Sequence, residues 1–272
     1  MIEFDRLPQL REPMLVGAFA GWVDAGLAGS GAAALLAEQL TARSRFAQLD
    51  LTELVDLSAT RPKVRLVDGE REITWPGVEL VAGSLGVDLV IATGPEPSIR
   101  WGAVIEELVD LTRRLGVQRA YFLGGMPAAA SHRRPVAVAA TATRRSLAQE
   151  LELVRDDYEG PTGFQSALQV ALGEAGVDAI GLWAQVPAYL AGSPSPPAIA
   201  ATLRRLGELA GIDVRLTALD SQIDAYTRRV EAGLEERPDV AEAVRAIEAG
   251  ATNGTPSGDE LAREIERFLR DQ

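Results

Sequence analysis

Short runs of continuous apolar residues alternate with stretches of helical spacing, and this alternation restricts the chain more than any other feature. The runs lie at residues 14–19, 88–93, 119–123, 136–141 and 180–186. Runs that are apolar throughout, rather than at every second position, belong to strands covered on both faces. Between them, residues 25–40, 98–115, 163–175 and 197–210 read as helices, the second with Val104, Leu108, Leu111 and Leu115 on one face. Strand and helix in alternation give an α/β class in three layers, α/β/α, around a mixed sheet. The stretch 63–75 differs, because its residues alternate around Asp68-Gly69, a strong hairpin signal. It is expected to add an antiparallel piece to the sheet.

Past residue 215 the strand signals stop. Leu219, Ile223, Tyr226, Val230 and Leu234 keep helical spacing, which resumes after Pro238 at Val240, Val244 and Ile247. The expected organisation is an α/β/α core over 1–215, a helical pair over 216–250 packed on it, and a tail over 251–272. That tail reads as a flexible linker at 251–258 and a short helix at 259–269 with Leu261, Ile265, Phe268 and Leu269 on one face.

Composition removes several functions. With 272 residues the chain buries a sizeable core, and with no cysteine it has no disulfide, thiolate metal site or cysteine nucleophile. A single histidine cannot assemble a histidine metal site, and an all-carboxylate site stays open but has no motif to support it, so neither metal nor cofactor is expected. The net charge of −12 argues against nucleic acid, whose binding needs clustered cations. No apolar run approaches the ~18 residues of a membrane span. The opening Met1-Ile-Glu-Phe-Asp5 places acids where a signal peptide carries basic residues, so a cytoplasmic location is expected.

Three glycine-bracketed turns follow predicted strands. In the first, Gly21-Trp22-Val23-Asp24-Ala25-Gly26, Asp24 stands where an N-cap belongs, and the glycines allow a ligand or the sheet to approach the backbone. In the second, Gly124-Gly125-Met126-Pro127 leads to His132-Arg133-Arg134-Pro135. His132 is the one ordinary side chain titrating near neutrality, and its other reading is a loop or interface residue. In the third, Gly160-Pro161-Thr162-Gly163-Phe164 opens a helix, with Thr162 as N-cap and Gln165 completing a capping box. A related loop, Gly94-Pro95-Glu96-Pro97-Ser98, offers Ser98 as a cap. No nucleophile elbow or glycosidase-type carboxylate pair is present.

These motifs in order, "GWVDAG", "GPEP", "LGGMP" with "HRRP", "GPTGF" and "LWAQVPAYL", resemble the proteasome assembly chaperone 2 family as found in actinobacteria. The resemblance implies a sandwich similar to the nucleoside phosphorylase/hydrolase-like fold, self-association into a homo-oligomer, and proteasome subunits as candidate partners. It places the family's loop positions on Gly21, Trp22, Asp24, Gly26, His132, Arg134, Pro135, Gly160, Pro161, Thr162 and Gly163. Ser131 and Arg133 depart from a Pro-His-Thr-Arg-Pro pattern, and Ala188 replaces the histidine of Val-Pro-His-Tyr. The final Phe268-Leu269-Arg270-Asp271-Gln272 departs from the hydrophobic-tyrosine tail of proteasome-binding chaperones, so contact with a proteasome needs another surface.

The expected function is therefore a non-enzymatic, self-associating protein acting through protein interfaces. The alternative is an enzyme or sensor for a small anionic ligand, a nucleoside or sugar phosphate. There Gly21, Trp22, Asp24, Gly26, Gly125, Thr162 and Gly163 line the site, Asp24 or His132 carries the proton and Arg134 clamps the anion.

Overall fold

The computed structural model describes residues 2–4, 6–153 and 158–250. The expected linker and last helix at 251–272 lie outside the described residues. In chain order the strands are β1 Ile2–Phe4, β2 Met14–Ala20, β3 Thr41–Asp50, β4 Lys63–Val67, β5 Glu70–Thr74, β6 Gly77–Ser84, β7 Asp88–Pro95, β8 Arg119–Ala128, β9 Val138–Ala142 and β10 Asp178–Pro187. The α-helices are α1 Ala28–Glu38, α2 Trp101–Arg114, α3 Arg145–Glu150, α4 Phe164–Glu174, α5 Pro196–Ala210, α6 Asp220–Glu236 and α7 Pro238–Glu248.

Eight strands form one mixed sheet in the order β1-β3-β6-β7-β2-β8-β10-β9. The central β7, β2, β8 and β10 are mutually parallel, while the flanking strands run antiparallel to their neighbours. The parallel strands are those with continuous apolar sequence, because helices cover both of their faces. On one face α2 and α4 pack Val104, Leu108, Phe164 and Leu168 against Phe19, Val90 and Phe122. On the other, α1 and α5 pack Leu36, Leu203 and Leu206 against Val16, Ile91, Tyr121 and Leu182. Each fully buried Leu or Phe in these layers contributes roughly 1.5–3 kcal/mol.

Two expectations are corrected here. The hairpin forms, with Asp68 and Gly69 at positive φ, but β4 and β5 pair only with each other and stand apart from the main sheet. The antiparallel part of the sheet comes instead from β1, β3, β6 and β9. The helix expected from residue 25 begins at Ala28, because Gly26 and Leu27 both adopt left-handed backbone (φ 64 and 51) and interrupt it after a single 3-10 turn. Among the described residues, no helix is long and apolar enough to cross a membrane.

Candidate functional site

The sheet opens at the carboxyl ends of its central strands. β2 and β8 pair only as far as Gly17 and Phe122, while β2 stays paired with β7 out to Ala20. Beyond that point the Gln165 side chain, on α4, fills the ladder: its Oε1 accepts from Phe19 N–H (3.0 Å) and its Nε2 donates to the Leu123 carbonyl (3.0 Å). This overturns the expected capping box. Gly163 is the N-cap of α4, with no side-chain cap, and Gln165 is spent on strand groups that would otherwise be buried without partners.

The cap is supplied from elsewhere. Glu96, just past β7, accepts from Phe164 N–H at the start of α4 (2.6 Å) through Oε1 and from Trp22 N–H (2.9 Å) through Oε2. One carboxylate thus ties the turn after β2 to the start of α4. A carboxylate at a helix start is favoured by the helix dipole. Gly21 and Gly163 lie flush against it: a Cβ on Gly21 would run into the Glu96 side chain, and one on Gly163 would stand 3.3 Å from Oε1. Gly21 has no room for a side chain because Glu96 occupies that space, whereas at Gly163 the carboxylate leaves a tight fit.

Around this carboxylate lies an open cleft of about 360 Å³, lined by Gly21, Trp22, Thr60, Glu96, Ser98, Trp101, Thr162 and Gly163, with Ala20 and Pro97. Trp22 is 61% exposed, whereas Trp101 is held by a bond from its Nε1 to the Pro97 carbonyl (2.6 Å). Ser98 does not cap α2, which starts after Arg100 in left-handed backbone. Its Oγ accepts from Asp56 N–H (3.0 Å) and secures the segment that carries Thr60. Sequence reasoning missed Glu96, Thr60 and Trp101; an acid between two prolines in a strand-end loop was the available signal for Glu96.

Asp24 sits behind the cleft, 7% exposed, and turns inward. Its Oδ1 accepts from Gly29 N–H (2.9 Å) and Ser30 N–H (3.1 Å), and its Oδ2 from the Ser30 hydroxyl (2.5 Å). Asp24 caps α1 across the 3-10 turn. Burial pushes its carboxyl above the usual aspartate range, against the opposing pull of these bonds. Gly125 N–H donates to the Val23 carbonyl (2.7 Å), and Gly26 exchanges backbone bonds with Ala191 and Ser195 (2.8 Å each). Both glycines join the turn to its neighbours.

His132 and Arg134 belong to a different place, the joint between the core and the C-terminal helices. The His132 side chain is 1% exposed, with Nδ1 2.7 Å from the Tyr189 hydroxyl and Nε2 3.1 Å from Glu231 Oε1 on α6. Arg133 grips Glu231 with two bonds of 2.7 Å, holding that carboxyl down at about 2. Ser131 donates to Glu248 on α7 (2.6 Å), and Arg134 donates to the Glu248 carbonyl (2.7 Å). Ser131, His132, Arg133 and Arg134 thus all bond the helical pair. Both ring nitrogens of His132 face protein partners, so the imidazole has no free position for a substrate. Among the described residues no group of three or more His, Cys, Asp or Glu could hold a metal ion.

Of the residues singled out in sequence, Gly21, Trp22, Thr162 and Gly163 meet at the cleft, Asp24 and Gly26 lie in the turn after β2 with Gly125 of β8 bonded to it, and His132 and Arg134 lie at the helical joint. The sequence profile of the PAC2 family matches residues 18–233, a span that contains all of these positions. The chain belongs to the PAC2 family. Its fold is shared with a PAC2 family protein of Streptomyces avermitilis at 38% identity and a TM-score of 0.78, over 85% of this chain and 99% of that one. A proteasome-assembly chaperone homologue of Mycobacterium tuberculosis is 34% identical with a TM-score of 0.76, over 85% and 99%. At 19% identity, the archaeal proteasome activator PbaB of Pyrococcus furiosus shares the fold of this PAC2 chain, with a TM-score of 0.70 over 86% and 98%. No curated protein matches the chain at a significant level.

Proposed function

We propose that this PAC2 chain works without catalysis, as a self-associating factor that acts on protein partners of a proteasome-related kind. The observation that carries the reading is the hairpin of β4 and β5. Pairing of Val64 with Ile73 and of Leu66 with Arg71, together with strand alternation, puts Val64, Leu66 and Ile73 on one face beside Arg71, and Trp75 follows two residues after Ile73. All four apolar residues are exposed, Leu66 by 70%. A two-stranded hairpin without a packed face is marginal in water, so an apolar face of this kind serves a second polypeptide. The Mycobacterium tuberculosis relative, a proteasome-assembly chaperone homologue, supports the choice of partner.

The catalytic alternative loses support residue by residue. Asp24 is spent on α1, His132 on Tyr189 and Glu231, and Arg134 on α7. An anionic ligand entering the cleft would face Glu96, and among the described residues none that lines it is Lys, Arg or His. The reading is tested by affinity purification from the native cell together with light scattering of the pure chain. Proteasome subunits in the eluate and a mass above that of the 29.0 kDa protomer are expected. A monomer throughout the micromolar range, with no proteasome subunit recovered, overturns it.

A further inference from the structure

We propose that the cleft at Trp22 and Glu96 is a socket for an arginine side chain presented by a segment of the protein partner, an inference that rests on the interaction reading above. The lining explains the charge of the occupant. One carboxylic acid residue, two tryptophans and the hydroxyl residues Thr60, Ser98 and Thr162 line the cleft, and among the described residues none that lines it is basic. A carboxylate has about four acceptor sites, and each oxygen of Glu96 has so far accepted one backbone N–H. Among the described residues neither oxygen shows a second hydrogen-bond partner, which leaves acceptor capacity for the two parallel bonds of a guanidinium fork.

The same two backbone bonds fix the carboxylate before any ligand arrives, so little side-chain freedom remains to be lost on binding. Trp22 is anchored at its own N–H by that carboxylate, and its exposed indole offers the face on which a planar guanidinium stacks. A lysine ammonium fits the charge but neither the fork nor the stack. The rim argues for a peptide over a free amine: Ile99, next to the lining Ser98, is 55% exposed, and with Trp22 it gives flanking residues apolar surface to cover.

The experiment follows the Trp22 and Phe164 amide resonances of the full chain, whose N–H groups bond Glu96, during titration with acetyl-Ala-Arg-Ala-amide. The citrulline and lysine counterparts and free agmatine are the comparison probes. Saturable shifts at both amides are expected with the arginine peptide. Affinity should fall roughly tenfold with citrulline, which keeps the shape and loses the charge, and similarly with agmatine. Glu96→Gln should weaken the arginine peptide by about tenfold and Trp22→Ala by about threefold, the second variant altering only an exposed side chain. Equal binding of citrulline and arginine, or no saturable shift at millimolar peptide, overturns the proposal. Agmatine binding as tightly as the peptide overturns the assignment to a protein segment. Full recovery of proteasome subunits by the Trp22→Ala and Glu96→Gln chains overturns the socket and leaves the interaction reading standing; recovery by neither wild type nor variants removes the interaction reading, whatever the peptide does.

Discussion

Asp24 accepts three hydrogen bonds from the start of α1 in a buried position, so replacing it strands donors rather than removing an ornament. Asp24→Ala is expected to lower unfolding stability by about 1–3 kcal/mol, and Asp24→Asn, which keeps one acceptor oxygen, by less. The pH dependence has a definite sign. Because burial raises the folded carboxyl above its unfolded value, folding favours the protonated acid, and its contribution declines as pH rises through that raised value. Urea midpoints measured across the acid range should show the wild type losing ground to Asp24→Asn as pH rises. Gly21→Ala drives a Cβ to 2.7 Å from the Glu96 Cβ, whereas Gly163→Ala meets only a 3.3 Å contact. The first should cost about 1–3 kcal/mol and the second less, by the same urea measurement. Asp24 was legible because an acid before a helix has local partners. Glu96 was not: its partners lie 74 and 68 residues away, and no spacing rule reports a contact made only after the sheet assembles.

The helical pair α6–α7 is joined to the core by the loop 131–134 as well as by packing. Arg133 holds Glu231, and Ser131 and Arg133 hold Glu248, with both carboxyls pushed below the usual glutamate range. A carboxyl depressed on docking supports the docked state above its free value of 4.5 and loses that support as pH falls towards about 2. Hydrogen exchange should therefore show the amides of 220–248 losing protection between those pH values ahead of α1 and α2. Arg133→Ala should produce the same selective loss at neutral pH, since one partner of a charged network is removed. The pair itself was legible in its 4, 3, 4, 4 spacing. The central strands were legible for the matching reason, that burial on both faces leaves continuous apolar sequence. β3 escaped notice because its first half is exposed and polar, and only Phe46, Ala47 and Leu49 are buried. What held α6–α7 was not legible, because Glu231 and Glu248 resemble any solvated helix acid until the loop reaches them.

For the molecule as a whole, the proposed self-association puts its demand on a part of the chain that the core does not need. Replacing Leu66 and Ile73 together by Lys should leave thermal stability within a few tenths of a kcal/mol, since both side chains are exposed, while light scattering reports a shift towards monomer. Unchanged mass would move the interface elsewhere. The three-layer arrangement was readable as a whole, but the place where the hairpin attaches was not. The main sheet closes behind it: β3 and β6 are adjacent and antiparallel, Asp50 faces Gly77, and Leu51 N–H bonds the Pro76 carbonyl (3.0 Å). The chain reaches the hairpin through a segment tied to the loop after β7, where Ser98 and Ile99 N–H bond the Leu54 carbonyl, and rejoins the sheet at Pro76. Because β4 and β5 pair with each other and with no strand of the main sheet, a change of length within the hairpin leaves the register of the layered body untouched. In mechanical terms the hairpin is an overhang: a load placed on its exposed side chains passes to the body only through the segments on either side of it.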